Sequence, residues 1–371
     1  MRSAVVAAIL AILVVATFGA GYLAGGARTS TVTSVSTATT TLSTGTATVT
    51  STVSLGPPYP ASSLETANIT IGNQSGAIGV DVNRERIYVS DVSSDNLTVI
   101  DGNSHSVVAT IPLPASAQVV AADFETHMVY VDAGGVVVEI NGTTDQISGE
   151  LRVEMGTFSY DPVNQVIYGP VNDSLVGLNV RTGAVVANVP LGMYADSVAV
   201  DPNTNMVVAA GCNLEGLVCN DTAFIVNGTS NSLVATIPLG GGLYPLVAAG
   251  RHLFYVSDPS LTALNETNGK VLFNVDPQEC SAFDSMVFVP NTDQLAAISF
   301  NHNYVFVYSG LTGALLDMYS LPATPQYVAY NTLTNELYVT ISSQLVAFHD
   351  SAGPGYVDIA LVDSGGNCPL P

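Results

Sequence analysis

Tryptophan is absent from the 371-residue chain, lysine occurs once (Lys270), and 8 basic residues stand against 30 acidic ones. Each shortage excludes something. A net charge of −22 leaves no basic footprint for phosphate backbones, so nucleic acid is not expected as a partner. Charged residues are only 10% of the chain, well short of the usual quarter and of the dense acidic coat expected in high salt. An acidic exterior suits the balance better, because carboxylates neutralised below about pH 4 stop repelling one another. The G-x-S-x-G elbow, the H-E-x-x-H pair and the phosphate-cradling glycine loop are all missing. Asp-rich turns such as DVSSD and DPNTN lack the strict calcium-loop spacing with its distal Glu, so Ca²⁺ is only a weak prospect and no cofactor is expected. Histidines 105, 127, 252, 302 and 349 are scattered singly. His127 and His252 fall at matching turn positions of distant units, so no metal site shared between them is expected and solvated turn residues are the simpler reading.

What is present is repetition. Residues 76–114, GAIGVDVNRERIYVSDVSSDNLTVIDGNSHSVVATIPLP, hold four short runs rich in Val, Ile, Tyr and Thr, separated by Asn, Asp, Ser and Gly clusters. Branched and aromatic side chains suit a pleated, half-buried surface, and the separators are turn formers, so the stretch reads as a four-stranded meander. Its second strand is centred on Tyr88, and equivalent centres follow at Tyr130, Tyr168, Val208, Tyr255, Ala296 and Tyr338, spaced 38 to 47 residues apart. Preceding turns align as DVNRER, DFETHM, DPVNQV, DPNTNM, VPNTDQ and NTLTNE, and the closing phrases VVATIPLP, VVANVPLG and LVATIPLG recur. A period near 40 with four strands per unit predicts an all-β fold, a seven-bladed β-propeller of four-stranded antiparallel blades over residues 64–371. Quinone cofactors of propellers usually rest on tryptophan, which this chain lacks.

The repeat, and RIYVSDVSSDNLTVIDGNSHSVVATIPLP most closely, resembles the YVTN repeat family of β-propellers, through YVSD and later YVTI. The resemblance covers all seven units and is looser in the fifth and sixth, where Arg251-His252 shortens a turn and Ala296 replaces the tyrosine. It implies a bacterial or archaeal cell-surface module for binding or surface-layer association; relatives resembling lactonases or carrying redox cofactors imply that function transfers less well than fold.

Ahead of the repeats, Ala4–Ala24 is almost wholly apolar and long enough, at about 1.5 Å per residue, to cross a hydrocarbon core of about 30 Å. Residues 1–28 are therefore expected to be a transmembrane signal-anchor, with cleavage at the Ala/Gly-rich end as the alternative. Arg2 favours a cytoplasmic N-terminus and an extracellular remainder. Residues 29–63 read as an unstructured Thr/Ser-rich stalk ending in a hinge at Pro57, Pro58 and Pro60. TANITIG (66–72) is expected to complete blade seven, with YVDIALV (356–362) adding to it or substituting for it.

Cys212 and Cys219 bracket an insertion in the fourth unit, and on an exterior protein they are expected to form a disulfide, leaving Cys280 to pair with Cys368. Glycan acceptor triplets stand at Asn68, Asn73, Asn96, Asn141, Asn172, Asn220, Asn227 and Asn265; Asn68, inside a strand, is the weakest. Loops between second and third strands and between blades share one face, which carries Asp91, Asp95, Asp132, Asp173, Tyr194, Asp196, Tyr244, Glu279, Asp284 and Tyr327. Tyrosines with carboxylates suit a glycan or protein partner. Binding is expected over catalysis; an extracellular lactonase-like hydrolase or lyase at the channel mouth is the alternative.

Overall fold

The computed structural model describes residues 33–42, 45–54, 67–72, 74–215, 218–239, 246–258, 260–275, 283–321 and 323–349. The anchor at 1–28, Asn73, Tyr244, Glu279, Cys280, Cys368 and the tail strand lie outside them. The chain divides into two compact units, Met1–Ser63 and Leu64–Pro371. In the first, Thr33–Leu42 and Gly45–Ser54 pair in antiparallel register, where an unstructured stalk is expected from composition. Thr is the commonest residue of both strands, and its branched side chain favours extended backbone. Among the described residues no helix is long and apolar enough to cross a membrane.

The second unit is a seven-bladed β-propeller. Each blade is a four-stranded antiparallel sheet whose strands follow in sequence from the innermost outward; blade one runs Ser75–Asp81, Arg86–Asp91, Asn96–Asp101 and Ser106–Pro112. Blade seven differs in origin. Its first three strands are Pro325–Asn331, Glu336–Ile341 and Gln344–His349, and its outermost strand is Ala67–Thr70 from the other end of the unit. Ala67 to Thr70 stand opposite Ala347 to Gln344, so the TANITIG segment closes the ring. Each innermost strand packs on the next, and that of blade seven returns to that of blade one.

The core lies between blades. Seven apolar clusters fill the seven interfaces; the one joining blades seven and one contains Ile69, Ile71, Ile87, Val89, Ile100, Tyr338 and Leu345. All seven repeat centres are buried on second strands. A two-layered contact on each sheet explains why second and third strands read as near-continuous apolar runs, since both of their faces are covered.

Polar latches on the face of the first-to-second-strand turns add to this. Asp81, Asp123, Asp161, Asp201 and Asn331 end innermost strands and are at most 1% exposed. One side-chain oxygen caps its own turn, as where Glu125, Val163, Asn203 and Leu333 N–H groups donate to Asp123, Asp161, Asp201 and Asn331. The rest of the side chain reaches the neighbouring blade. Asp81 Oδ2 meets His127 Nδ1 at 2.8 Å, Asp123 accepts from the Tyr160 hydroxyl at 2.7 Å, and Asp161 accepts from the Asn205 amide at 2.7 Å. Asp201 accepts from the His252 N–H at 3.1 Å, and Asn331 donates to Glu85 at 2.7 Å. Where the aspartate is replaced, in blades five and six, Arg251 pairs with Asp293 and Asn291 donates to the Thr332 carbonyl. The aligned turn aspartates are therefore both turn caps and interblade ties.

Candidate functional site

The opposite face carries the turns between second and third strands and the connections between blades. Three residues expected there come together around blades two to four: Asp132, Tyr194 and Asp196. Tyr194 lies in the connection from Val185–Pro190 to Ser197–Asp201. Two glycines place it. A Cβ on Gly211 would sit 2.1 Å from the Tyr194 carbonyl oxygen, so only glycine allows the second strand of blade four to approach this connection so closely. A Cβ on Gly156, in the connection from blade two to blade three, would lie 2.9 Å from the Tyr194 hydroxyl. The ring thus reaches the connection between blades two and three while the residue remains 46% exposed.

The surrounding acids are held back from ionising. Burial raises the Asp132 carboxyl above its ordinary range, against the N–H of Gly135, which lowers it. Burial also raises Asp196, opposed by the N–H of Cys212 and reinforced by the charge of Asp221. Burial raises the Tyr194 phenol, and the charges of Asp196 and Asp132 add to the rise. Asp221, absent from the expected set, is 2% exposed and stands opposite Cys212 in the strand register. Its position in the CNDTAF segment, just past the insertion, was the available signal.

Cys212 is disulfide-bonded. It sits beside the Asp196 carboxylate and at the base of the blade-four insertion, where Met206–Glu215 and Val218–Asn227 extend past their neighbours to 10 residues each. The side chain of Cys219 lies outside the described residues; its backbone pairs with Leu214.

The other expected residues are dispersed. Asp91 is 2% exposed and accepts from the Ser93 and Ser94 hydroxyls and the Gln74 N–H, which makes it a turn cap. Asp95 is exposed, at a positive φ of 52° within the same turn, and Asp173 is exposed with its carbonyl accepting from the Leu191 N–H. Asp284 repeats the design of Asp196 in blade six: its N–H donates to Ile298, its carboxylate accepts from the Phe300 N–H at 2.6 Å, and burial raises it. Tyr327 packs on the core between blades one and two. Of the glycan acceptors, Asn172 is exposed, whereas the Asn141, Asn227 and Asn265 carboxamide oxygens accept turn N–H groups. Asn96 donates to Ser94 and Asn68 to Gln344.

An exposed tyrosine ring beside two partly buried carboxyls offers an apolar plate flanked by hydrogen-bonding groups. That combination stacks on a sugar or an apolar side chain while binding hydroxyls or amides at its edge. No protein-family model matches the chain, and no curated protein matches it.

Proposed function

We propose that this chain is a YVTN-type propeller that binds a cell-surface protein or glycan through the face carrying Tyr194. In this reading residues 1–28 anchor it in the membrane, the 29–63 segment spaces the propeller from the surface, and the propeller is extracellular and glycosylated. The observation that carries the binding role is the 46% exposed Tyr194 ring held over Gly156 beside Asp132 and Asp196. Disulfides Cys212–Cys219 and Cys280–Cys368 belong to the same proposal and fit an exterior compartment.

The test is binding of the full chain to cell envelopes of its own host and to an immobilised glycan panel. Tyr194→Ala, at an exposed position, leaves the fold intact and loses binding at least tenfold, the loss expected of an aromatic anchor. Unchanged binding by that variant sinks the assignment. The alternative of a lactonase-like hydrolase or lyase draws on the same two raised carboxyls, since perturbed acids cluster at reactive centres. It predicts that Asp132→Asn and Asp196→Asn abolish turnover of a lactone or polyuronide panel.

A further inference from the structure

The interface of blades four and five departs from its neighbours in a way that assembles metal ligands. At three other interfaces a second-strand tyrosine reaches a glycine in the next blade's third-to-fourth-strand turn. A Cβ on Gly142, Gly228 or Gly310 would lie 2.4, 2.8 or 2.8 Å from the hydroxyl of Tyr88, Tyr168 or Tyr255. Ring and side chain are mutually exclusive there. Blade four has Val208 at the tyrosine position, and blade five has Glu266 at the glycine position, both fully buried. Loss of the ring leaves room for a carboxylate where those three interfaces hold a glycine.

Glu266 arrives beside Asp201, the buried turn cap of blade four. Its Oε2 accepts from the Thr204 hydroxyl at 3.0 Å, and its Oε1 lies 2.9 Å from His252 Nδ1. One oxygen of Asp201, one of Glu266 and a ring nitrogen of His252 all fall within 4.8 Å of one another. Two carboxylates side by side in a nearly water-free interface repel one another, and a pair of this kind needs a proton or a cation. The His252 side chain is 66% exposed, so the cluster is open to solvent on one side only.

The geometry points to a site for one divalent transition-metal ion, of the Zn²⁺ class, held by Asp201, His252 and Glu266. One imidazole nitrogen with two carboxylate oxygens is a donor set that such ions accept, and three protein ligands leave a coordination position for water or an incoming group. Neighbouring donors around tetrahedral zinc are about 3.3 Å apart, so donor atoms that lie within 4.8 Å of one another close by at most about 1.5 Å on binding. The molecule contains its own control. At the interface of blades one and two, Asp81 and His127 occupy the positions of Asp201 and His252, and their side chains meet at 2.8 Å. The third position there is Gly142, and no third ligand is supplied.

The test is calorimetric titration of chelator-treated full-length protein with Zn²⁺, supported by Co²⁺ titration followed by visible absorption, which reports imidazole coordination. The wild type takes up one equivalent with a cobalt spectrum of nitrogen and oxygen ligation. Glu266→Gln and His252→Ala each weaken that uptake at least tenfold, and His127→Ala leaves it unchanged. The paired change Val208→Tyr with Glu266→Gly rebuilds the ordinary interface and is expected to unfold cooperatively while losing the site. His252 is exposed, so His252→Ala decides the matter even if a buried substitution fails to fold. No uptake by the wild type, or uptake that His252→Ala and the paired change leave intact, overturns the assignment. The latter result would mean diffuse binding to the acidic surface.

Discussion

Closure of the ring by a strand of four residues makes a sharp quantitative prediction. Ile69 and Ile71 are 6% and 2% exposed, and both enter the cluster between blades seven and one. Truncating a buried isoleucine to alanine costs about 2–5 kcal/mol, through lost transfer energy and the cavity left behind. The pair shares neighbours, so the two effects do not add cleanly, and about 4–8 kcal/mol is expected for Ile69→Ala with Ile71→Ala. Against a typical stability of about 5–15 kcal/mol this removes a large part of the whole. Thr70, between them, faces solvent, so Thr70→Ala serves as the control and is expected to change stability by no more than about 0.5 kcal/mol. Urea denaturation of the full chain, followed by tyrosine fluorescence and circular dichroism, measures both. The double variant shows a much lower midpoint, and its exposed edge at Gln344–His349 favours association through unpaired backbone groups. A double variant with the midpoint of the parent would refute the closure by Ala67–Thr70.

Stability should also follow pH in a defined direction. Asp132, Glu139, Asp196 and Asp284 are all raised by burial, so between their unfolded and folded values the native state binds more protons than the unfolded one. Stability from these groups is greatest in acid and is lost as pH rises above about 4 through their raised values. Asp101 opposes this: it is lowered chiefly by the Ser104 N–H, and its contribution is lost as pH falls through its depressed value. A melting temperature that climbed steadily from pH 3 to pH 8 would contradict the balance. Gly228→Ala places a methyl 2.8 Å from both the Asn205 carbonyl and the Tyr168 hydroxyl, and is expected to cost about 1–3 kcal/mol in thermal unfolding. Tyr255→Phe removes a buried hydroxyl that donates to the Gly310 carbonyl at 3.0 Å, and should cost about 0.5–1.5 kcal/mol without altering the binding face.

The fold was legible because each repeat carries the same local grammar. An apolar second strand follows an Asx turn, and the spacing of seven such centres needs no long-range information. The closing strand was legible in part: TANITIG looks like a fourth strand with no first three before it, but YVDIALV at the other end offered a second strand and local pattern does not choose between them. Pairings across blades were hidden. His127 and His252 occupy the same turn position and look like interchangeable solvent-facing residues, yet one bonds to Asp81 and the other to Glu266. Only the identity of a residue later in the same repeat, at the turn after its third strand, Gly142 or Glu266, separates them. The binding face was partly legible for a similar reason. Loop position placed Asp132, Tyr194 and Asp196 on one side of the ring, but whether an acid faces outward or caps its own turn, as Asp91 does, depends on neighbours such as Ser93 and Ser94.

The origin of blade seven's outer strand sets a timetable for biosynthesis. Ala67 is among the first propeller residues to leave the ribosome, and its pairing partner Ala347 among the last. At about 5–20 residues per second, the early strand waits on the order of 15–60 s for that partner. Through that interval blade one can form by itself, while Ile69 and Ile71 lack the blade-seven half of their cluster, Tyr338, Leu345 and Ala347. A nascent chain paused before residue 344 is therefore an open arc with a sticky end at each terminus, and release from the ribosome, more than any single blade, is the event that turns an arc into a ring.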